Sequence, residues 1–446
     1  MFTATFHPSR LRGVASVPPS KSEAHRAFIL AAMGLGSCRL RGMAQPLCDD
    51  LQATLSGLSA IGTKVVQEGD ALEVLPVSAT EGRVQGMARF HANACAATLR
   101  MIIPICWALG QPARITMEDG LWNRPLEAYG PLAERVGGSL RRIPAANGLP
   151  AAVEVSGKLV PGEYVVDGSM SSQFASGLLM ALSHVSGPAR LMVNKPIVSR
   201  PYLDMTLKMV ELFGGKVEEE AEGIFNILPI REQNPVEITI HRDWTQAAAF
   251  ICANALGAGV MLEGLSMPKE DEMSLQGDEG ILAVFRRMGL SFWNTQHGLY
   301  GTNPSRTRFI PLQADCSDMP DLAPFIALIC TQAQGTSVLK GLKRLAVKEC
   351  DRLSATVELL TRLGGVARVS EDGDAIIVEG ATCVLGSAGL RGGITVDSRG
   401  DHRMVMLAAI AALIADLPVT VMGLECLSKS WPGFLEVYRS LGGIVS

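Results

Sequence analysis

The chain has 446 residues, 48% of them apolar, 5% aromatic and 19% charged, with a net charge of −4. That balance excludes a broad basic surface for nucleic acid and a row of aromatic base-stacking platforms. The length allows two or three domains with sizeable cores.

The N-terminal stretch MFTATFHPSRLRG lacks the apolar segment of a signal peptide, so a cytoplasmic protein is expected. The first polar motif, PSKSEAHR, opens a short apolar run, AFILAAMGLG. Ser20 and Glu23 have capping-box spacing, which puts Lys21 and Ser22 in the first helical turn and Arg26 one turn on. Lysine there opposes the helix dipole, so an anionic partner is expected. LSAIGTKV follows, an amphipathic segment ending at Gly62. HANACA then opens a second apolar run, LRMIIPICWALG, and Arg124 lies on the loop after it. LAERVGGSL ends at Gly137. Gly168-Ser169-Met170-Ser171-Ser172-Gln173 starts a third apolar run. Capping accounts for one of its serines but poorly for three with a glutamine, and hydroxyls with free N–H groups suit phosphate.

The pattern continues past VELFGGKV and Gly214. HRDWTQ precedes AAAFICANALGAG, and VFRRMGLSF ends at Gly289. Asp321 opens LAPFIALICTQAQG, where a carboxylate serves as an N-cap or a general base. Lys348, Glu349, Asp351 and Arg352 fall within VKECDR, a cluster that usually reads as a solvated turn. LLTRLGGVA ends at Gly364. Asp401, His402 and Arg403 then stand directly against MVMLAAIAALIAD, which is costly unless they are paired or bound. Lys429 lies on a late loop, and VYRSLGGIV ends at Gly442.

The six helix-ending glycines are spaced at 75, 77, 75, 75 and 78 residues. One such ending is unremarkable, but six on one period mean a repeated unit. Each unit reads as strand, buried helix, strand, amphipathic helix, glycine and more strand. The six apolar runs fall short of the roughly 20 residues needed to cross a bilayer. Crossings near residues 16–19 and 240–243 give one lobe over 21–240 and a discontinuous one over 1–19 plus 243–446, with a cleft between them. The ten cysteines show no metal-ligand spacing, which fits a reducing compartment. No metal and no cofactor is expected. Lys21, Arg26, Arg124, Lys348, Arg352, Arg403 and Lys429 all flank repeat-phased motifs. Seven cations in an acidic protein imply substrates carrying several negative charges. Asp321 and Glu349 among them are available for proton transfer.

SKSEAHR, NRPLE, GSMSSQF, SRPYLDMT, MPDLAP, VKECDRL, GDHRM and Lys429, in that order, resemble the 5-enolpyruvylshikimate-3-phosphate synthase family over essentially the whole chain. The resemblance implies an α/β fold, a two-lobed inside-out α/β barrel with three βαβαββ units per lobe. It implies transfer of the enolpyruvyl group of phosphoenolpyruvate to the 5-hydroxyl of shikimate 3-phosphate by addition and elimination, releasing phosphate. This is a step of the shikimate pathway to chorismate and aromatic amino acids, and a monomer is expected. Carried over by position, Ser22, Arg26, Ser171, Ser172, Ser199 and Tyr202 would bind shikimate 3-phosphate. Gln173, Asp321 and Lys348 would border its ring and hydroxyls. Lys21, Arg124, Arg352, Arg403 and Lys429 would hold phosphoenolpyruvate. Asp321 would handle the hydroxyl proton, and Glu349, with Lys429 or Lys21, would act at C3.

The chain departs from the family pattern in places. Ala96 stands for a glycine and Ala97 for a hydroxyl residue, while Pro19, His25 and Gly400 replace Gly, Asn and Asn. The methyl of Ala96 is expected to crowd the phosphoenolpyruvate phosphate and weaken inhibition by glyphosate. Two rivals follow. A binding paralogue rests on the alanine-rich second motif. A UDP-N-acetylglucosamine enolpyruvyl transferase would need Asn at position 22 and a cysteine in the loop from Met117 to Tyr129, and neither is present.

Overall fold

All six period-marking glycines adopt positive φ: 111° at Gly62, 63° at Gly137, 84° at Gly214, 105° at Gly289, 98° at Gly364 and 91° at Gly442. The computed structural model describes residues 2–43, 46–79, 84–231, 236–268, 275–302, 309–380 and 390–446. Each glycine follows the C-cap of a helix: Asp49–Ala60, Gly130–Arg135, Arg200–Leu212, Ile281–Arg287, Arg352–Arg362 and Phe434–Ser440. The residue after each glycine donates its N–H five residues back, as from Thr63 to Leu58 at 3.1 Å and from Gly365 to Leu360 at 2.9 Å. This closure satisfies helix carbonyls that would otherwise lack donors, and its left-handed residue is why glycine recurs.

The chain divides into two compact units, Pro19–His241 and Met1–Pro18 with Arg242–Ser446. The first contains the buried helices Lys21–Met33, Ala96–Leu109 and Ser172–Leu182, which touch one another pairwise. Trp244–Ala255, Ala323–Cys330 and His402–Ala411 do the same in the second. Every residue of Ala323–Cys330 is buried, so the helix is apolar on all sides because it is covered on all sides. The sheets bear the solvent, and their strands alternate accordingly, as in Ala189–Asn194. This is the inside-out α/β plan, with helices within and sheets without.

Ala88–His91, Ala113–Thr116, Ala152–Ser156 and Ser139–Ile143 show the repeated sheet, one parallel pairing followed by two antiparallel ones. Together with the helices Ala96–Leu109 and Gly130–Arg135 they make a βαβαββ unit. Two sheets take their parallel neighbour from far along the chain. Cys38–Arg41 takes its parallel neighbour from Val236–Thr239. Gly259–Glu263 takes its own from Arg12–Ser16. The connecting segments meet in each unit, with the Asp243 N–H donating to the Pro18 carbonyl at 2.9 Å and the Ser20 N–H to the His241 carbonyl at 2.7 Å. Thr3–Phe6 joins the last sheet and exchanges hydrogen bonds with Ser446. Among the described residues, no helix is long and apolar enough to cross a membrane.

Candidate active site

In the unit Pro19–His241, Lys21 is the first residue of a buried helix capped by the Ser20 hydroxyl, which accepts from the Glu23 N–H at 3.4 Å. The Glu23 carboxylate accepts from His241, at 3.1 Å from its backbone N. The anion that Lys21 requires is Asp50, whose Oδ2 lies 2.6 Å from Nζ. Asp50 sits in the first turn of Asp49–Ala60, where the dipole favours a carboxylate. Burial works against the ammonium, but Asp50 outweighs it and holds the Lys21 pKa above the ordinary lysine value.

Arg26 is buried and engaged by the protein itself. Nε donates to Thr206 Oγ1 at 2.7 Å, one terminal nitrogen to the Ser22 carbonyl at 2.8 Å, and the other to Ser176 Oγ at 3.2 Å and the Tyr202 carbonyl at 3.0 Å. It therefore locks Ser22 and Tyr202 to one helix junction. Ser171 caps Ser172–Leu182 by accepting from the Gln173 N–H at 3.3 Å. Ser199 stands at the N-cap position of Arg200–Leu212 with φ 52° and ψ 49°, a left-handed backbone that costs a serine about 1 kcal/mol or more. Gly168 has no room for a side chain, since a Cβ there would lie 2.5 Å from the Asn194 carbonyl oxygen.

Ala96 and Ala97 open the Ala96–Leu109 helix, whose cap is a sulfur: Cys95 Sγ accepts from the Thr98 N–H at 3.4 Å. His25 joins this corner. Its Nδ1 lies 2.7 Å from Thr54 Oγ1, which lies 2.6 Å from Thr98 Oγ1. Burial, with Lys21 and Arg26 adding to it, pushes the His25 pKa well below the ordinary value, so the ring is neutral.

In the second unit, Arg352 is the first residue of Arg352–Arg362, and its side chain is 1% exposed. It gathers three carboxylates: Asp401 at 2.8 Å, Asp321 at 2.6 Å and Glu349. The cluster is thus no solvated turn. Asp321 stands in the Pro320–Leu322 turn ahead of the buried helix Ala323–Cys330. Besides Arg352 it meets Lys348 at 3.0 Å and Arg403 at 3.4 Å. Burial raises the Asp321 pKa, but Lys348, Arg403 and Arg352 together outweigh it and hold the carboxyl well below its usual range. Burial lowers the Lys348 pKa more than Asp321 restores it. Asp401 caps His402–Ala411 through the Arg403 N–H at 2.9 Å, and Lys429 Nζ donates to the Gly400 carbonyl at 3.2 Å.

The structure thus brings Asp321, Lys348, Glu349, Arg352 and Arg403 together in one unit. In the other, it groups Ser22, Arg26 and Tyr202 and places Gln173 beside the turn of Arg124. Sequence reading passed over Asp50, which carries only the ordinary signal of an acid at a helix start, and it named Asp401 as a charge in need of a partner without identifying Arg352 as that partner. Among the described residues, no group of three or more His, Cys, Asp or Glu is placed to hold a metal ion.

The chain is 31% identical to a 3-phosphoshikimate 1-carboxyvinyltransferase of Clostridium beijerinckii, covering 98% of this chain and 97% of that one. It is also 31% identical to the enzyme of the same name from Clostridioides difficile, covering 99% and 98%. Among solved structures, EPSP synthase from Acinetobacter baumannii aligns over 100% of this chain and 99% of that one, with a TM-score of 0.77 at 21% identity, a likeness of fold. The profile of the EPSP synthase (3-phosphoshikimate 1-carboxyvinyltransferase) family matches residues 6–438, and with that span the chain belongs to this family.

Proposed function

We propose that this chain transfers the enolpyruvyl group of phosphoenolpyruvate to the 5-hydroxyl of shikimate 3-phosphate, releasing phosphate. Beside the family membership, the observation that carries this reading is the Asp321 carboxylate held among Lys348, Arg352 and Arg403, with Glu349 on the same arginine. The substrate 5-oxygen attacks C2 of the enol while C3 gains a proton. The tetrahedral adduct then loses the C3 proton and phosphate. Asp321 takes the hydroxyl proton, and Glu349, with Lys429 or Lys21, serves C3. A carboxylate held so low is a weak base. Anionic substrates that draw Lys348 and Arg403 toward themselves raise its basicity where proton transfer is required.

Ser22, Ser171, Ser172, Ser199 and Tyr202 bind shikimate 3-phosphate in this reading, with Arg26 behind them and Gln173 at the ring. Lys21, Arg124, Arg352, Arg403 and Lys429 hold phosphoenolpyruvate. The reading includes a cytoplasmic monomer without cofactor. The nine described cysteines are all free and mostly buried, which fits a reducing compartment, and Cys383 lies outside the described residues.

The test is phosphate release by the purified protein, with the two substrates supplied together and separately. Release that requires both, and falls away in Lys21→Ala and Glu349→Ala, is expected. A folded protein that binds shikimate 3-phosphate yet releases nothing would instead be a binding paralogue.

Ala96 carries its own prediction. Its methyl stands at the first turn of Ala96–Leu109, where free N–H groups suit the phosphoenolpyruvate phosphate. Ala96→Gly is expected to strengthen glyphosate inhibition about tenfold, equivalent to about 1.4 kcal/mol. Inhibition of wild type and variant is compared at equal substrate saturation, and equal inhibition would remove the methyl from the explanation.

A further inference from the structure

We propose that His25, as the Nδ1–H tautomer, is a positioning residue for the reaction read above, on which this inference rests. Through the hydroxyls of Thr54 and Thr98 it ties the first turn of Ala96–Leu109 to the first turn of Asp49–Ala60. The three side chains come from three helices of the Pro19–His241 unit, and all are buried, His25 at 2% exposure and both threonines at 0%. His25 Nδ1 lies 2.7 Å from Thr54 Oγ1, and Thr54 Oγ1 lies 2.6 Å from Thr98 Oγ1. Thr98 Oγ1 in turn lies 3.4 Å from the Asp50 carbonyl oxygen.

The order of the protons follows from the last acceptor. A carbonyl oxygen only accepts, so the Thr98 hydroxyl donates to Asp50. Thr98 is then the acceptor for the Thr54 hydroxyl, and Thr54 the acceptor for His25, which leaves Nδ1 as the donor. Burial, with Lys21 and Arg26 adding to it, keeps the imidazole neutral, so Nε2 carries no proton and calls for a donor. Cys95 Sγ, 3.9 Å away, supplies an S–H. The same sulfur accepts from the Thr98 N–H at 3.4 Å. The hydrogen bonds thus run in one direction from Cys95 to His25, Thr54 and Thr98, and return to Cys95 through the Thr98 backbone. Bonds ordered in this way polarise one another, and away from water they hold a single geometry.

Two parts of the phosphoenolpyruvate site hang on this ring. Asp50, whose carbonyl takes the last hydroxyl, is the carboxylate paired with Lys21 at 2.6 Å. Cys95 and Thr98 bracket Ala96 and Ala97, which open the Ala96–Leu109 helix and have no intrahelical partner for their N–H groups. With alanine at position 97 this turn offers backbone donors alone, since the adjacent hydroxyl, that of Thr98, is spent within the ring. A turn without side-chain donors depends on being held from behind. The ring sets its separation from Asp50, and hence from the Lys21 ammonium.

The first experiment is nitrogen NMR of the substrate-free protein labelled with 15N-histidine. The chain has seven histidines, and the His25 signals are those lost in His25→Asn. A neutral ring protonated at Nδ1 is expected, and a ring protonated at Nε2 would overturn the proposal. The second is a double-mutant cycle of His25→Leu and Thr54→Val, with KM measured for each substrate and thermal unfolding as the control. Each single variant should raise KM for phosphoenolpyruvate about tenfold, the scale of one hydrogen bond, with smaller changes in kcat and in KM for shikimate 3-phosphate. The double variant should do little more than either single one. His25→Asn keeps an amide N–H near the place of Nδ1 and should recover most of the loss. Effects that multiply to about a hundredfold, a lower melting point with unchanged KM, or no recovery with asparagine would overturn the proposal. Should His25→Leu not fold, the nearly isosteric Thr54→Val carries the kinetic test alone, and an unchanged KM for phosphoenolpyruvate would overturn it. The tautomer is read without substrate. A ring protonated at Nδ1 in a protein that releases no phosphate therefore counts against the reaction assignment and not against this inference.

Discussion

Asp321→Asn lowers kcat for phosphate release by about 10²–10⁴-fold, the range for losing a positioned general base. The amide keeps the shape of the carboxylate and one acceptor, so KM for shikimate 3-phosphate should move far less than kcat. Asn cannot take the hydroxyl proton, and it no longer neutralises Lys348, Arg352 and Arg403. Steady-state and single-turnover assays on the folded variant check this, and a kcat within a few-fold of wild type would assign the base elsewhere. The substitution also has a stability signature. The folded Asp321 pKa lies well below its unfolded value of about 3.9. Its contribution to stability is therefore fully present above that pH and is lost as pH falls through the folded value. Asp321→Asn should remove this component, so wild type and variant converge in stability under strong acid.

Arg352→Met should be the most destabilising single change in the charged cluster, by about 3–5 kcal/mol, the range for breaking a buried pair from one side. Methionine fills much of the arginine's volume, so the loss is electrostatic rather than a cavity. Asp401 is 0% exposed and loses the Nε–H donor at 2.8 Å, while Asp321 and Glu349 lose their shared partner. Uncompensated carboxylates escape by taking up protons, so the deficit should shrink as pH is lowered from neutral. Chemical denaturation at several pH values measures this. A midpoint equal to that of wild type, or a deficit that grows in acid, would show that Arg352 does not organise the cluster. With two compact units, the unfolding is followed by probes in each unit rather than as a single transition.

The repeat is legible in the sequence because it is written in a residue with one dominant reason to be there. A left-handed C′ position selects glycine whatever the surroundings, so six of them survive as a period. Lys21 is legible by half. A lysine in a first helical turn calls for an anion, but Asp50 lies 29 residues on, and only the packing of two helices selects it. Arg26 reads as a cation beside a phosphate motif, yet its guanidinium is engaged by Thr206, Ser176 and two backbone carbonyls, all fixed by tertiary structure. Arg100 is legible as the arginine that closes the second motif, but its contacts are not: Gln173 is 73 residues away, and the Arg100 carbonyl depends on Tyr129. Capping boxes, C′ glycines and apolar runs are local physics, whereas a guanidinium shared among acceptors is decided by which helices meet.

The two borrowed strands give the chain the grammar of an insertion. Residues 19–241 carry their own last strand, Val236–Thr239, back to their first sheet, and the remainder keeps Arg12–Ser16 for its own. The ends left by excising the insert are already neighbours, since Pro18 and Asp243 share a hydrogen bond of 2.9 Å. A direct splice of Pro18 to Arg242 therefore needs little or no linker, and the excised piece begins and ends at its own hydrogen-bonded pair, Ser20 and His241. Host and guest are each a whole cassette with a complete set of three sheets.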